Sequence, residues 1–149
     1  MLTDIELIRR LLLAAFLGGL LGAEREIHQK SAGFRTHILI AIGSALFTIT
    51  SLTMAPGASD PTRIAAQIVT GIGFLGAGAI LHTENRVHGL TTAATVWVNA
   101  ALGVAAGAGL YRVAGLGGGI TLVVLLILAP LERAFERRAD VRHGAGDAE

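Results

Sequence analysis

Charged residues fall in short islands along this chain, and the stretches between them are long and apolar. Leu11 to Ala23 carries no charge, and Ile5, Leu7 and Ile8 extend its apolar character backwards, with Arg9 and Arg10 able to snorkel outward. Further uncharged runs follow at Ile38–Ala55, Ile64–Leu81, Val87–Tyr111 and Val113–Leu131. At about 18 to 25 residues they match the roughly 20 needed to cross the hydrocarbon of a bilayer. Helices of a soluble bundle would each show a polar face, and these runs do not. The pattern predicts an all-α integral membrane protein, a bundle of five transmembrane helices over residues 1–131. A juxtamembrane helix and a flexible tail, from Arg142, are predicted over 132–149. Glu24-Arg25-Glu26 follows Ala23 directly, a poor cleavage context, so the first span reads as retained rather than as a secretory signal.

Composition agrees. Of 149 residues, 52% are hydrophobic and only 15% charged, and 20 are glycine. Basic and acidic residues nearly balance at 12 against 11, which argues against a nucleic-acid surface. The lack of cysteine excludes a disulfide framework, a thiolate metal site and a cysteine nucleophile. Where the basic residues sit sets the expected orientation. Arg25, Lys30, Arg35, Arg86, Arg133, Arg137, Arg138 and Arg142 fall on one side of the predicted membrane, and Arg9, Arg10, Arg63 and Arg112 on the other. The positive-inside rule then places the N-terminus outside and the C-terminus in the cytoplasm. The tail arginines would face anionic headgroups there.

Glycines are the most frequent interruption within the spans. Gly71, Gly73 and Gly76 make a formal GxGxxG, but no strand precedes them and the run is apolar, so a dinucleotide site is not expected. Close helix packing explains Gly71, Gly73, Gly76 and Gly78 better, as it does the small-xxx-small pairs Gly18/Gly22, Gly103/Gly107 and Gly115/Gly119. An unwound helix lining a substrate site is the alternative.

Polar residues inside the spans form stripes: Ser44, Thr48 and Ser51 on the second helix, Thr92, Thr95 and Asn99 on the fourth, Arg63 with Gln67 on the third. Turned inward they would pair with one another, either as glue between helices or as a polar path. If the third and fourth helices meet, Arg63 supplies charge at the outer mouth and Asn99 an amide deeper in. At the span ends, Glu24 or Glu26 is expected to pair with Arg35 across the first loop. Asp60 and Pro61 suit the start of the third helix. His28, His37, His82 and His88 read as loop residues without metal-cage spacing. No Asp or Glu falls in mid-span, and no catalytic constellation is seen, so no enzyme is expected and a magnesium pathway would rely on amides, hydroxyls and carbonyls.

Four blocks, GGLLGAERE (18–26), KSAGFRTHILIAIGSALF (30–47), RIAAQIVTGIGFLGAGAI (63–80) and VHGLTTAATVWVNAALGVAAGAG (87–109), resemble the MgtC/SapB family of bacterial inner-membrane proteins. The family's motif positions fall on Glu24, Arg25, Gly33, Arg35, Thr36, Arg63, Gln67, Gly71, Gly73, Gly76, Gly78, Gly89, Thr92 and Trp97. Thr91 and Val98 stand where members with a virulence role can carry Asn and Cys. The resemblance implies a five-span domain, adaptation to low magnesium, and an action on membrane energetics through the F-type ATP synthase. Transport of magnesium or another ion is the alternative. It further implies the short form without an ACT-like domain, no resident cofactor, and magnesium as ligand or signal. The expected partners are the lipid bilayer, a second copy in a homodimer, and another membrane protein.

Overall fold

The computed structural model describes the backbone of residues 2–54, 60, 62–83 and 86–144, and the side chains within these outside 81–86 and 129–144. Five helices run in chain order: α1 (Asp4–Ile27), α2 (Phe34–Met54), α3 (Arg63–Gly78), α4 (Leu90–Gly107) and α5 (Tyr111–Gly144). Between α3 and α4 lies a small antiparallel hairpin, β1 (Leu81–Thr83) and β2 (Arg86–His88), registered Leu81 to His88, His82 to Val87 and Thr83 to Arg86. Among the described residues, three helical segments are long and apolar enough to cross a membrane: Phe34–Met54, Leu90–Gly107 and Tyr111–Leu128. α1 carries charges at both ends, and α3 has only 16 residues, about 24 Å of helix.

The ends of the elements follow from local chemistry. Thr3 caps α1, its Oγ1 accepting from the Glu6 amide at 3.3 Å, and Asp4 and Glu6 in the first turn complement the helix dipole. α1 and α4 both close in a Schellman turn. After α1, Lys30 N–H donates to Arg25 O and Gln29 N–H to Glu26 O, with Gln29 at φ 51°. After α4, Leu110 donates to Ala105 O and Gly109, at φ 78°, to Ala106 O.

The predicted third and fourth spans are shortened by the hairpin, which takes residues from the end of one and the start of the other. Gly89 is the cause on the α4 side. It sits at φ 89°, and a Cβ there would come within 2.0 Å of Ala79 O, so the chain turns where the uncharged run alone suggested continuous helix. Asp60 precedes α3 as an Asx turn rather than a cap, its Oδ1 accepting from Thr62 N–H (2.9 Å) and Thr62 Oγ1–H (2.7 Å). Pro61 lies outside the described residues. The backbone of α5 passes through Leu131 and Arg142 as one helix to Gly144; residues 145–149 and the tail side chains lie outside the described set.

α4 is the hub, touching all four other helices, and its run of Ala, Gly and Thr lets them approach. α2 packs on α1 and α4, α3 leans on α4 and α2, and α5 on α4 and α1. One apolar cluster joins Leu17 and Leu21 of α1, Ala41 and Ala45 of α2, Leu102 and Ala106 of α4, and Ala114 and Leu125 of α5. A second joins Ala32, Ile40, Ile72, Val96 and Ala100.

Glycines set the closest approaches. A Cβ at Gly18 would lie 2.7 Å from His37 O, at Gly22 2.8 Å from Phe34 Cα, at Gly103 2.4 Å from Ala41 O, and at Gly107 2.6 Å from Ala45 O. These four therefore seat α2 between α1 and α4, within one chain. Gly76 has only ordinary contact with Ala93. Among the described residues, nothing beyond their own helix lies within 4 Å of a would-be Cβ on Gly71, Gly73 or Gly78, so the packing expected of them does not occur there, because α3 turns them outward. On α5 the packed pair is Ala114 with Gly118, whose Cβ would meet Leu17 Cδ2 at 2.8 Å, rather than Gly115 and Gly119, which face open space. Gly107 is filled from within and offers no surface to a second copy.

The outer surface is unusually apolar. Ile5, Leu12, Phe16, Leu39, Phe47, Phe74, Leu116, Ile120 and Ile127 are each more than half exposed, while the buried set includes Glu24, Arg25, His37 and Asn99. An exterior of large apolar side chains around a core with polar groups suits lipid rather than water as the surrounding solvent.

Candidate functional site

Polar groups converge where α1 ends, α2 begins and α4 passes behind them. On α1, Gly18, Leu21, Gly22 and Arg25 lie on one helical face, which carries Glu24 and Arg25 into the interior at 5% and 3% exposure. Arg25 grips Glu24 with two guanidinium hydrogen bonds, Nε to Oε2 and Nη2 to Oε1 at 2.8 Å. His28 closes the group from the more exposed side, its Nδ1 2.9 Å from Glu24 O and 3.0 Å from Glu24 Oε1.

Arg35 and Thr36 are exposed and take no part, so the expected pairing of Arg35 with Glu24 or Glu26 does not form. Glu24 is already held by Arg25. Glu26 instead caps α2 from the preceding helix, its Oε2 accepting from the Phe34 amide at 3.0 Å. The same oxygen lies 1.8 Å from where a Cβ on Gly33 would stand, which explains glycine at that position.

His37 is fully buried in the first turn of α2, not in a loop. The sequence signal is present, since His37, Ile40, Ala41, Ser44, Ala45 and Thr48 follow one helical face, but the apolar run that marks the span starts only at Ile38. Gly33 O can only accept, so the 3.0 Å contact with His37 Nδ1 makes that nitrogen the donor and leaves Nε2 an acceptor. Asn99, also fully buried, donates from Nδ2 to His37 O at 2.6 Å and ties α4 to α2. His37 Nε2 and Asn99 Oδ1 have no hydrogen-bond partner among the described residues. Two buried acceptors without donors each cost about 1–3 kcal/mol.

Thr92 and Thr95 are buried on the same face of α4, and Ser44, Thr48 and Ser51 on the inner face of α2. Thr48 and Thr95 turn their hydroxyls onto their own helices, to Ser44 O and Thr92 O, both at 2.8 Å. Arg63 and Gln67 are exposed and do not meet Asn99. They line the outer part of a cleft between α2 and α3, so the stripe on α3 and the stripe on α4 are not one path.

The opposite end of the bundle holds a second polar set that the hydropathy pattern did not show. Arg10 does not snorkel away: its Nη1 donates to Gly107 O at 2.8 Å, satisfying the C-terminal end of α4, and its Nε donates to Glu6 Oε1 at 3.0 Å. Tyr111 O–H donates to the same Glu6 oxygen. These bonds tie the ends of α1, α4 and α5 together. Among the described residues, no group of three or more His, Asp or Glu side chains is arranged to hold a metal ion.

Residues 11–134 match the family model described as "MgtC family". Curated relatives include the "Putative magnesium transporter YhiD" of Escherichia coli K12, 48% identical over 133 residues, covering 85% of this chain and 62% of that protein. "Protein MgtC" of Brucella abortus is 48% identical over 132 residues, 89% of this chain and 55% of that one. "Protein MgtC" of Salmonella typhimurium is 46% identical over 130 residues, 87% of this chain and 54% of that one. The chain thus spans between half and two thirds of the length of these relatives. No solved structure matches it.

Proposed function

This chain belongs to the MgtC family of membrane proteins, and from that premise we propose that it is a non-enzymatic protein of the bacterial inner membrane that supports adaptation to low magnesium by contacting another membrane complex from the side. The F-type ATP synthase is the candidate partner. The outward face of α3 carries this reading. Gly73 and Gly78 leave the helix backbone uncovered, and Phe74 beside them is 82% exposed. Small residues on a membrane helix let a second helix approach closely, and an aromatic beside them anchors it. The buried polar groups support the same view, since most bond within their own helix and Asn99 is spent on tying α4 to α2.

Five crossings, with the N-terminus outside and the C-terminus in the cytoplasm, complete the proposal. They are supported by the eight basic residues on one side against four on the other. Reporter fusions after Arg112 are expected to signal outside and those after His28 inside; the reverse pattern would overturn the orientation. Magnesium or other ion transport is the second reading, favoured by the acceptors of His37 and Asn99 that lack donors.

The partner surface is tested with Gly73→Leu and Phe74→Ala. Neither position supports the bundle, so both variants should accumulate in membranes with an unchanged thermal midpoint. Growth in low magnesium should nevertheless fall to the level of a strain without the protein. Normal growth with both would remove α3 from the functional surface.

A further inference from the structure

A trough runs along the outside of the bundle between α2 and α3, with a volume near 470 Å³. Its walls are Leu39, Phe47, Ile64, Ile68, Ile72 and Leu75, and its floor is opened by Gly43 and Gly71, neither of which has an atom within 4 Å of a would-be Cβ. At the α3 N-terminal end the trough continues into a second hollow lined by Ser51, Met54, Asp60 and Arg63, with Ile64 and Gln67 shared by both. One continuous groove is therefore greasy along its length and polar at its mouth, where Arg63 and Asp60 both sit.

Arg63 is exposed and its guanidinium makes no ion pair or hydrogen bond among the described residues, whose ion pairs lie elsewhere, at Arg10–Glu6, Arg25–Glu24 and His28–Glu24. Asp60 is the acid nearest in sequence. Hydrogen bonds from the Thr62 side chain and amide, with a smaller contribution from Arg63, hold its carboxyl below the usual carboxylate range, so it is anionic at neutral pH. Its oxygen is turned to Thr62, not to the guanidinium.

Helix lengths place this mouth at the bilayer boundary. α2, at about 31 Å, matches the hydrocarbon thickness of about 30 Å, so its last turn reaches the boundary. Arg63 lines one hollow with Ser51 and Met54 of that turn, near the level where lipid phosphates begin. A guanidinium there matches a phosphate diester in geometry and charge, and the trough below it matches an alkyl chain. We propose that the α2–α3 groove is a binding site for one anionic glycerophospholipid, its phosphate on Arg63 and Gln67 and one acyl chain along Gly43 and Gly71. This rests on the membrane-embedded placement of α2 and α3, which the reporter fusions test separately, and not on the identity of any protein partner.

The site is tested by native mass spectrometry of the detergent-purified chain supplied with phosphatidylglycerol or phosphatidylcholine of identical acyl chains. The wild type is expected to retain one phosphatidylglycerol with a preference of about tenfold over phosphatidylcholine. Arg63→Gln should bind both lipids equally, and Arg63→Lys should keep part of the preference. Gly71→Leu and Gly43→Leu each set a Cβ in open space and a side chain in the trough, and each should lower retention of both lipids while leaving the thermal midpoint unchanged. An undiminished preference in Arg63→Gln, or full retention in both leucine variants, would overturn the site. So would a lipid-free dimer in which a second copy fills the groove.

Discussion

Gly103→Ala should lower the thermal midpoint of the purified protein by several degrees, and Gly103→Leu should leave little folded protein in the membrane. Alanine is the better helix former by about 1 kcal/mol, so the expectation runs against intrinsic propensity. The added Cβ would sit 2.4 Å from Ala41 O and 2.8 Å from Ser44 Cβ. Ala41 O belongs to the backbone of α2 and cannot turn aside as a flexible side chain would. α2 or α4 must therefore shift, at the cost of about 1–3 kcal/mol or more that overpacking brings. α4 touches every other helix, so the shift spreads to the whole bundle. Gly73→Ala is the matched control. It adds the same methyl to open space on α3 and is expected to raise the midpoint slightly. Opposite signs for one chemical change at two helical glycines would establish the α2–α4 contact; a harmless Gly103→Ala would refute it.

Glu24→Leu should destabilise the protein by about 3–5 kcal/mol, the usual cost of leaving one member of a buried ion pair without its partner. The stranded group would be the Arg25 guanidinium, which is 3% exposed and donates two hydrogen bonds to its own neighbour's carboxylate. Removing both charges in Glu24→Leu/Arg25→Leu is expected to be milder than either single change, because no uncompensated charge remains. Thermal midpoints of the two single variants and the double one give the coupling directly. Growth in low magnesium on the same set separates the roles: a double variant that folds but does not support growth assigns the pair to function, and one that does both assigns it to the fold.

The helical content and the apolar spans were legible because charges bracket them, and the inward stripes of α2 and α4 were legible because their polar residues keep a helical period. The hairpin was not, since Leu81 closes one uncharged run and Val87 and His88 open the next across a short charged island, and only the left-handed Gly89 separates the strand from the helix that follows. The packing glycines divided for a related reason. Spacing shows that Gly18, Gly22, Gly103 and Gly107 share faces with small neighbours, but it shows the same of Gly71, Gly73 and Gly78, and only the direction in which α3 is turned separates the two sets. For the polar centre, the shared inward face of Thr92, Thr95 and Asn99 was legible, and Glu24, Arg25 and His37 are buried as well, whereas Arg63, Gln67, Arg35 and Thr36 are exposed. Charge at a span end reads as an interfacial residue whether or not a neighbouring glycine has let the helix sink inward, so burial of Glu24 and Arg25 was invisible in the pattern.

Magnesium entry into liposomes carrying the purified full chain, read with an indicator dye and an imposed gradient, bears most directly on whether this protein modulates a partner or moves an ion. The account predicts uptake no faster than into empty liposomes, with wild type and Asn99→Leu indistinguishable. Saturable, protein-dependent uptake that is lost in a folded Asn99→Leu variant would contradict it and make the His37–Asn99 acceptors part of an ion path.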